Sequence, residues 1–222
     1  MRGVRRGAWP LLACAGLALG LTAAGGLRAW RARPAVDEGA RLLARGQPAA
    51  AARALLPVVQ AAPSDPRAHY YLGLAYARLG AREGALTQLH EAVRLAPADA
   101  RFHAGLGSAY RDTGDLARAE AELEHAVHDD GGDPRYEVDL AGVLLDEGRV
   151  EGALEHLRRA ARRAPGAGEV HLALAEGLRA AGDREGMLAE YLAAERLAGP
   201  GVLGEVARQA RRLGTAPGGG CR

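Results

Sequence analysis

The chain has 222 residues, a formal net charge of +2, 31 glycines, two cysteines and only 4% aromatic residues. It contains no lysine, which excludes a Walker phosphate lysine, Schiff-base chemistry and any lysine nucleophile. Its two serines, Ser64 and Ser108, sit in no G-x-S-x-G elbow, and Cys14 and Cys221 stand at opposite ends, so neither a disulfide framework nor a C-x-x-C redox pair is present.

Residues 1–31 form a regime of their own. Arg2, Arg5 and Arg6 precede an uncharged run from Gly7 to Leu27, and Arg28 and Arg31 follow it. A run of about 20 uncharged residues can span a bilayer, and secretory signals share the layout. We expect an anchor that enters the membrane through residues 8–27; the alternative is a signal cleaved near Thr22-Ala23-Ala24. The flanking arginines nearly balance, with a lean toward a cytoplasmic N-terminus and a periplasmic remainder. Leu11-Leu12-Ala13-Cys14 is similar to a bacterial lipoprotein box, making Cys14 a candidate lipidation site, although the apolar run continues past it. Arg5-Arg6 is similar to the pair of a twin-arginine export signal, without its neighbours. The leader holds five arginines and no acid, so taking their charge from the total leaves −3 on the remainder. The basic balance therefore belongs to the leader, and nucleic acid is not an expected partner.

From Ala32 onward the chain repeats itself. Gly46, Gly80, Gly114, Gly148 and Gly182 follow one another at intervals of 34 residues. Laying the windows that begin at Ala32, Pro66, Ala100, Pro134 and Gly168 over one another needs no gap. Leu72, Leu106, Leu140 and Leu174 share one position; Leu42, Tyr76, Tyr110, Leu144 and Leu178 share another. Further along come Ala51, Ala85, Ala119 and Ala153, then Leu55, Leu89, Leu123, Leu157 and Tyr191. A period of this length marks a helix-turn-helix solenoid. Within one repeat, residues 67–79 and 83–95 each carry an apolar stripe at helical spacing. Gly80 between them suits a left-handed C-cap, and Asp115 and Asp183 suit the N-caps that follow their glycines. Neither helix pair has enough apolar face to stand alone, so neighbours must stack.

His69, Leu72, Gly73, Tyr76, Gly80, Ala85, Leu89, Ala92 and Pro97 fall at the marker positions of the tetratricopeptide repeat (TPR), which residues 32–201 resemble. The resemblance implies an all-α, TPR-type helix-turn-helix solenoid of about five repeats: 32–65, 66–99, 100–133, 134–167 and 168–201. His69, His103 and His171 stand where the family commonly has Trp, and Glu137 departs further. The resemblance also implies a concave face on the first helix of each repeat that holds a segment of another protein. Carried onto this sequence, that face includes Arg67, Tyr70 and Leu74, then Arg101, Ser108 and Arg111, then Arg135, Val138 and Leu145, then Leu172, Glu176 and Arg179. Arg33, Arg67, Arg101 and Arg135 make a ladder at helix N-termini, where the macrodipole disfavours cations. They signal either a ligand carboxylate or an exposed position that tolerates arginine. The carboxylate clamp of chaperone-binding relatives needs lysine and asparagine, and the chain has neither.

Acids gather between Asp99 and Glu155, 15 against five arginines, and Arg158, Arg159, Arg162 and Arg163 then form a basic face. These charges either solvate the helices or select a partner of complementary charge. The equivalent positions of His69, His103 and His171 point to helix packing rather than a metal, while His125 and His128 with Asp129 are a weak metal pattern. No cofactor and no catalytic residue is expected. After Pro200, residues 202–213 read as a capping helix, with Val202, Leu203, Val206 and Leu213 on one side, and residues 214–222 as a disordered tail. The expected function is a non-catalytic scaffold for protein–protein contacts at the cell envelope, in assembly or maturation of a complex. The alternatives are a self-associating structural array and a soluble exported protein after signal cleavage.

Overall fold

A computed structural model describes residues 33–130 and 132–198. The expected membrane segment with Cys14, the capping helix and the tail lie outside the described residues. Among the described residues no helix is long and apolar enough to cross a membrane. The chain divides into two compact units between Ala96 and Pro97. The N-terminal unit contains α1 (33–44), α2 (Pro48–Ala61), α3 (Pro66–Arg78) and α4 (Arg82–Leu95). In the C-terminal unit lie α5 (Ala100–Thr113), α6 (Leu116–Asp129), α7 (Pro134–Asp146), α8 (Val150–Arg163), α9 (Gly168–Ala181) and α10 (Arg184–Ala198). No strand occurs among the described residues, and the fold is the expected all-α helix-turn-helix solenoid.

The repeating glycines close the first helix of every pair. All five have positive φ, between 70° and 81°, a region that costs other L-residues sterically and costs glycine nothing. With the chain turned this way, the N–H after each glycine reaches back to the carbonyl five residues earlier: Gln47 to Leu42, Ala81 to Tyr76, Asp115 to Tyr110, Arg149 to Leu144 and Asp183 to Leu178, at 2.8–3.0 Å. This is the Schellman bond that satisfies a carbonyl the helix itself leaves open. At the other end, Asp65, Asp99 and Asp133 accept N–H bonds from the first turns of α3, α5 and α7. Pro66 and Pro134 occupy the first helical position, where a missing N–H is harmless.

Packing follows the repeated apolar positions. In the N-terminal unit, Val36, Val58 and Ala68 form one buried cluster, and Leu43, Ala51, Leu55, Leu72 and Ala75 another. The C-terminal unit buries Leu106 with Leu123, Leu140 with Leu157, and Leu174 with Tyr191 on the corresponding helix pairs. Each such leucine contributes about 1.5–3 kcal/mol by leaving water. Gly73 and Gly107 let the two helices of a pair approach: a methyl on Gly107 would lie 2.7 Å from Leu123 Cγ and 3.1 Å from the Ala119 carbonyl oxygen.

A polar layer runs beside this core at one fixed spacing. His69 Nδ1 meets Gln88 at 2.8 Å, His103 meets Glu122 at 2.7 Å and His171 meets Glu190 at 2.6 Å, always 19 residues on. Their Nε2 atoms donate to the carbonyl oxygens of Pro63, Pro97 and Pro165, at 2.9–3.0 Å. The histidines thus tie the turn before the first helix to the second helix of the pair through hydrogen bonds. Glu137, which departs from the pattern, proves to be the same bridge reversed: its Oε2 accepts from His156 Nδ1 at 2.6 Å, again 19 residues on. Glu137 is 1% exposed and also draws in Arg163 at 3.3 Å and Arg159 at 3.6 Å. Two members of the expected basic face therefore turn toward this carboxylate, because a buried charge needs a partner.

Candidate functional site

In the C-terminal unit α5 touches α7 and α7 touches α9, whereas no such contact joins α6 to α8 or α8 to α10 among the described residues. First helices closer together than second helices make the first-helix side the concave one. Of the residues expected there, Ser108 is exposed, and Val138, Leu145 and Leu172 are half-buried. The charged residues of this face are tied to one another. Arg111 Nε donates to Asp146 at 2.5 Å, linking α5 to α7. Gly142 makes room for that arginine, since a methyl there would lie 2.7 Å from Arg111 Nη1. On α9, Glu176 accepts from Arg179 at 2.8 Å and from the Tyr191 hydroxyl of α10. Burial opposes the Glu176 charge, but Tyr191 and Arg179 outweigh it and hold the carboxyl below its ordinary range. Burial, reinforced by Glu176, pushes the Tyr191 hydroxyl up to about 12.

Three of the four arginines of the ladder, Arg67, Arg101 and Arg135, have carboxylate partners within the chain. Arg101 donates to Asp99 at 2.6 Å and Arg135 to Asp133 at 2.5 Å, the same aspartates that cap α5 and α7. Each aspartate therefore answers both the helix N–H groups and the cation beside them, which removes the conflict with the macrodipole. In the N-terminal unit Arg67 reaches from α3 to Asp37 of α1 at 2.6 Å. Tyr70 is half-buried with its ring 5.2 Å from that of Tyr71. Leu74 packs against the cluster around Leu55 and Leu72 rather than standing free on the face.

The acidic stretch is likewise largely spent internally. Asp99, Asp115, Asp133, Asp146 and Glu147 pair with arginines, and Glu122 and Glu137 with histidines. His128 meets Asp129 at 3.1 Å, and no group of three metal-ligating side chains gathers among the described residues.

One residue of the concave side was missed by sequence reasoning. Asp139, one position beyond Val138 on α7, is half-buried, and its nearest cations, Arg111 and Arg135, are engaged with Asp146 and Asp133. Burial pushes its carboxyl up to about 6, against the pull of Arg111 and Arg135. Asp37 occupies the equivalent place in the first repeat, 102 residues earlier, so reading one more position of the 34-residue register would have found both.

Three family models described as tetratricopeptide repeat match residues 36–89, 80–138 and 134–177. No curated protein matches the chain. Among solved structures, TTC0263, a thermophilic TPR protein of Thermus thermophilus, is 25% identical with a TM-score of 0.72, over 82% of this chain and 98% of that one. A MamA structure from Desulfovibrio magneticus RS-1 is 22% identical with a TM-score of 0.62, over 75% of this chain and 94% of that one. YrrB, described as a TPR protein with an unusual peptide-binding site, is 18% identical with a TM-score of 0.57, over 79% of this chain and 91% of that one. The last two likenesses concern the fold alone. With glycine turns, helix pairs and family models in agreement, the chain from residue 36 to 177 is built of tetratricopeptide repeats.

Proposed function

We propose that this protein is a non-catalytic scaffold that holds a segment of a partner protein against its first-helix faces. The observation that carries this reading is the α5–α7–α9 layer, where Ser108, Val138, Leu145 and Leu172 meet solvent while the charges around them are paired. Such a face offers apolar contact with a polar rim whose cations are already committed, and it suits an extended or helical segment of mixed character rather than a free anion. The peptide-binding site named for YrrB, a protein of like fold, supports the same use.

The scaffold works at the cell envelope, tethered through residues 8–27, in assembly or maturation of a protein complex; the leader of residues 1–31, with its apolar run between arginines, supports this placement. A photo-crosslinker at position 108 in native membranes, followed by mass spectrometry, tests the reading. A discrete crosslinked partner is expected, and it should vanish in a Val138→Glu/Leu172→Glu variant of unchanged helicity. Crosslinking only to a second copy of the chain would favour a self-associating array instead. A partner that survives the double substitution would remove the concave face from the proposal.

A further inference from the structure

The four bridges of the polar layer share a spacing but not a proton count. A carbonyl oxygen and a carboxylate oxygen can only accept hydrogen bonds. His103 stands between the Pro97 carbonyl at 2.9 Å and the Glu122 carboxylate at 2.7 Å, so both of its ring nitrogens must donate. A ring with two N–H groups is the imidazolium cation. His171, between Pro165 at 3.0 Å and Glu190 at 2.6 Å, is in the same position. His69 is not. Its second partner is the amide of Gln88, which by turning over presents either an oxygen or an N–H group and so satisfies a neutral ring. His156 makes a single bond to Glu137, for which one N–H suffices.

We propose that His103 and His171 are proton-dependent clamps: each locks a proline turn to the far helix of its pair only while charged, and loses that lock when the proton leaves. The groups that face them agree. His103 looks onto Glu122 and Asp129 of α6 and onto Asp99 at the start of α5, with the His125 ring of α6 5.2 Å away. Burial works against its charge, but the Pro97 carbonyl and Glu122 outweigh it and raise the group above its ordinary value. His171 faces Glu190 and, in opposition, Arg196, both on α10; burial is again outweighed, by Glu190 and the Pro165 carbonyl, and the group is raised. Since both are raised, their stabilisation is complete below the unfolded histidine value of about 6.5 and disappears as pH climbs through the folded value. The bridges of His69 and His156 carry no such requirement.

Two-bond ¹H–¹⁵N spectra of the full chain, with the histidines assigned by substitution, test the clamps directly. At pH 7 both nitrogens of His103 and His171 should be protonated, and their midpoints should lie above the ordinary histidine value of about 6.5. Glu122→Gln and Glu190→Gln, which copy the Gln88 bridge, should bring those midpoints back toward about 6.5. Amide exchange in α5 and α9, corrected for its intrinsic pH dependence, should quicken as pH rises above about 6.5 by about tenfold for each unit of elevation, and should not do so in the Glu122→Gln/Glu190→Gln protein. Midpoints of His103 and His171 at or below about 6.5 overturn the proposal, as do midpoints that Glu122→Gln and Glu190→Gln leave unmoved.

Discussion

The two compact units make the same helix-to-helix bridge with different chemistry. In the N-terminal unit a histidine meets an amide, His69 with Gln88; in the C-terminal unit histidines meet carboxylates, His103 with Glu122, His171 with Glu190 and, reversed, His156 with Glu137. Asp37 and Asp139 show the same divergence. Asp37 accepts from Arg67 at 2.6 Å, whereas Asp139 is half-buried beside two arginines that are paired elsewhere, and its carboxyl is pushed up to about 6. The apolar frame is repeated almost without change, while the polar layer varies repeat by repeat. Packing thus sets the fold of both units, and charge sets how each responds to its surroundings.

The largest expected effect tests whether the apolar frame is equivalent. Leu89→Ala and Leu123→Ala, at buried matching positions, should each cost about 2–5 kcal/mol in urea unfolding followed by circular dichroism. A large difference between them would mean that the frame also diverges. Next comes Asp139. Its raised folded value means that the folded state binds the proton more tightly than the unfolded chain, so stability falls as pH rises from about 4 to about 6. Asp139→Asn should therefore stabilise the protein at pH 7 by up to about 3 kcal/mol and flatten the pH dependence of its urea midpoint. Asp37→Asn, which breaks a made ion pair, should not stabilise.

The reversed bridge predicts a smaller effect of unusual form. Glu137→His and His156→Glu should each cost about 1–3 kcal/mol, and the double exchange should recover most of it, because its neighbours use the opposite order. A double-mutant cycle that finds no coupling would show that Arg159 and Arg163, rather than the histidine, hold Glu137. Smallest of all, Arg101→Ala and Arg135→Ala should each change stability by about 0–1 kcal/mol. With their guanidinium groups already on Asp99 and Asp133, they should also leave partner crosslinking at position 108 nearly intact.

Much of the frame was legible in the chain because it rests on local physics. A glycine at each left-handed turn, an aspartate before a helix and a leucine every repeat act through bonds and contacts whose spacing is written in the sequence. The concave residues were legible only as an address. Ser108 is exposed, Val138, Leu145 and Leu172 are half-buried, Leu74 is half-buried against the cluster around Leu55 and Leu72, and Arg67, Arg101 and Arg135 are engaged by aspartates. An arginine shows its charge in the sequence but not its partner, since a long side chain reaches several carboxylates and geometry chooses among them.

What the amino-acid sequence determined alone was the periodic frame: helix, glycine turn, helix, and the faces that must be buried. It also held the complementary letters of the bridges, with Gln88, Glu122, His156 and Glu190 opposite His69, His103, Glu137 and His171. What only the tertiary structure decided was which of those letters meet and how many protons they need. A hydrogen bond depends on two groups and the carbonyl behind them arriving at about 3 Å, and that meeting exists only once the helices have packed.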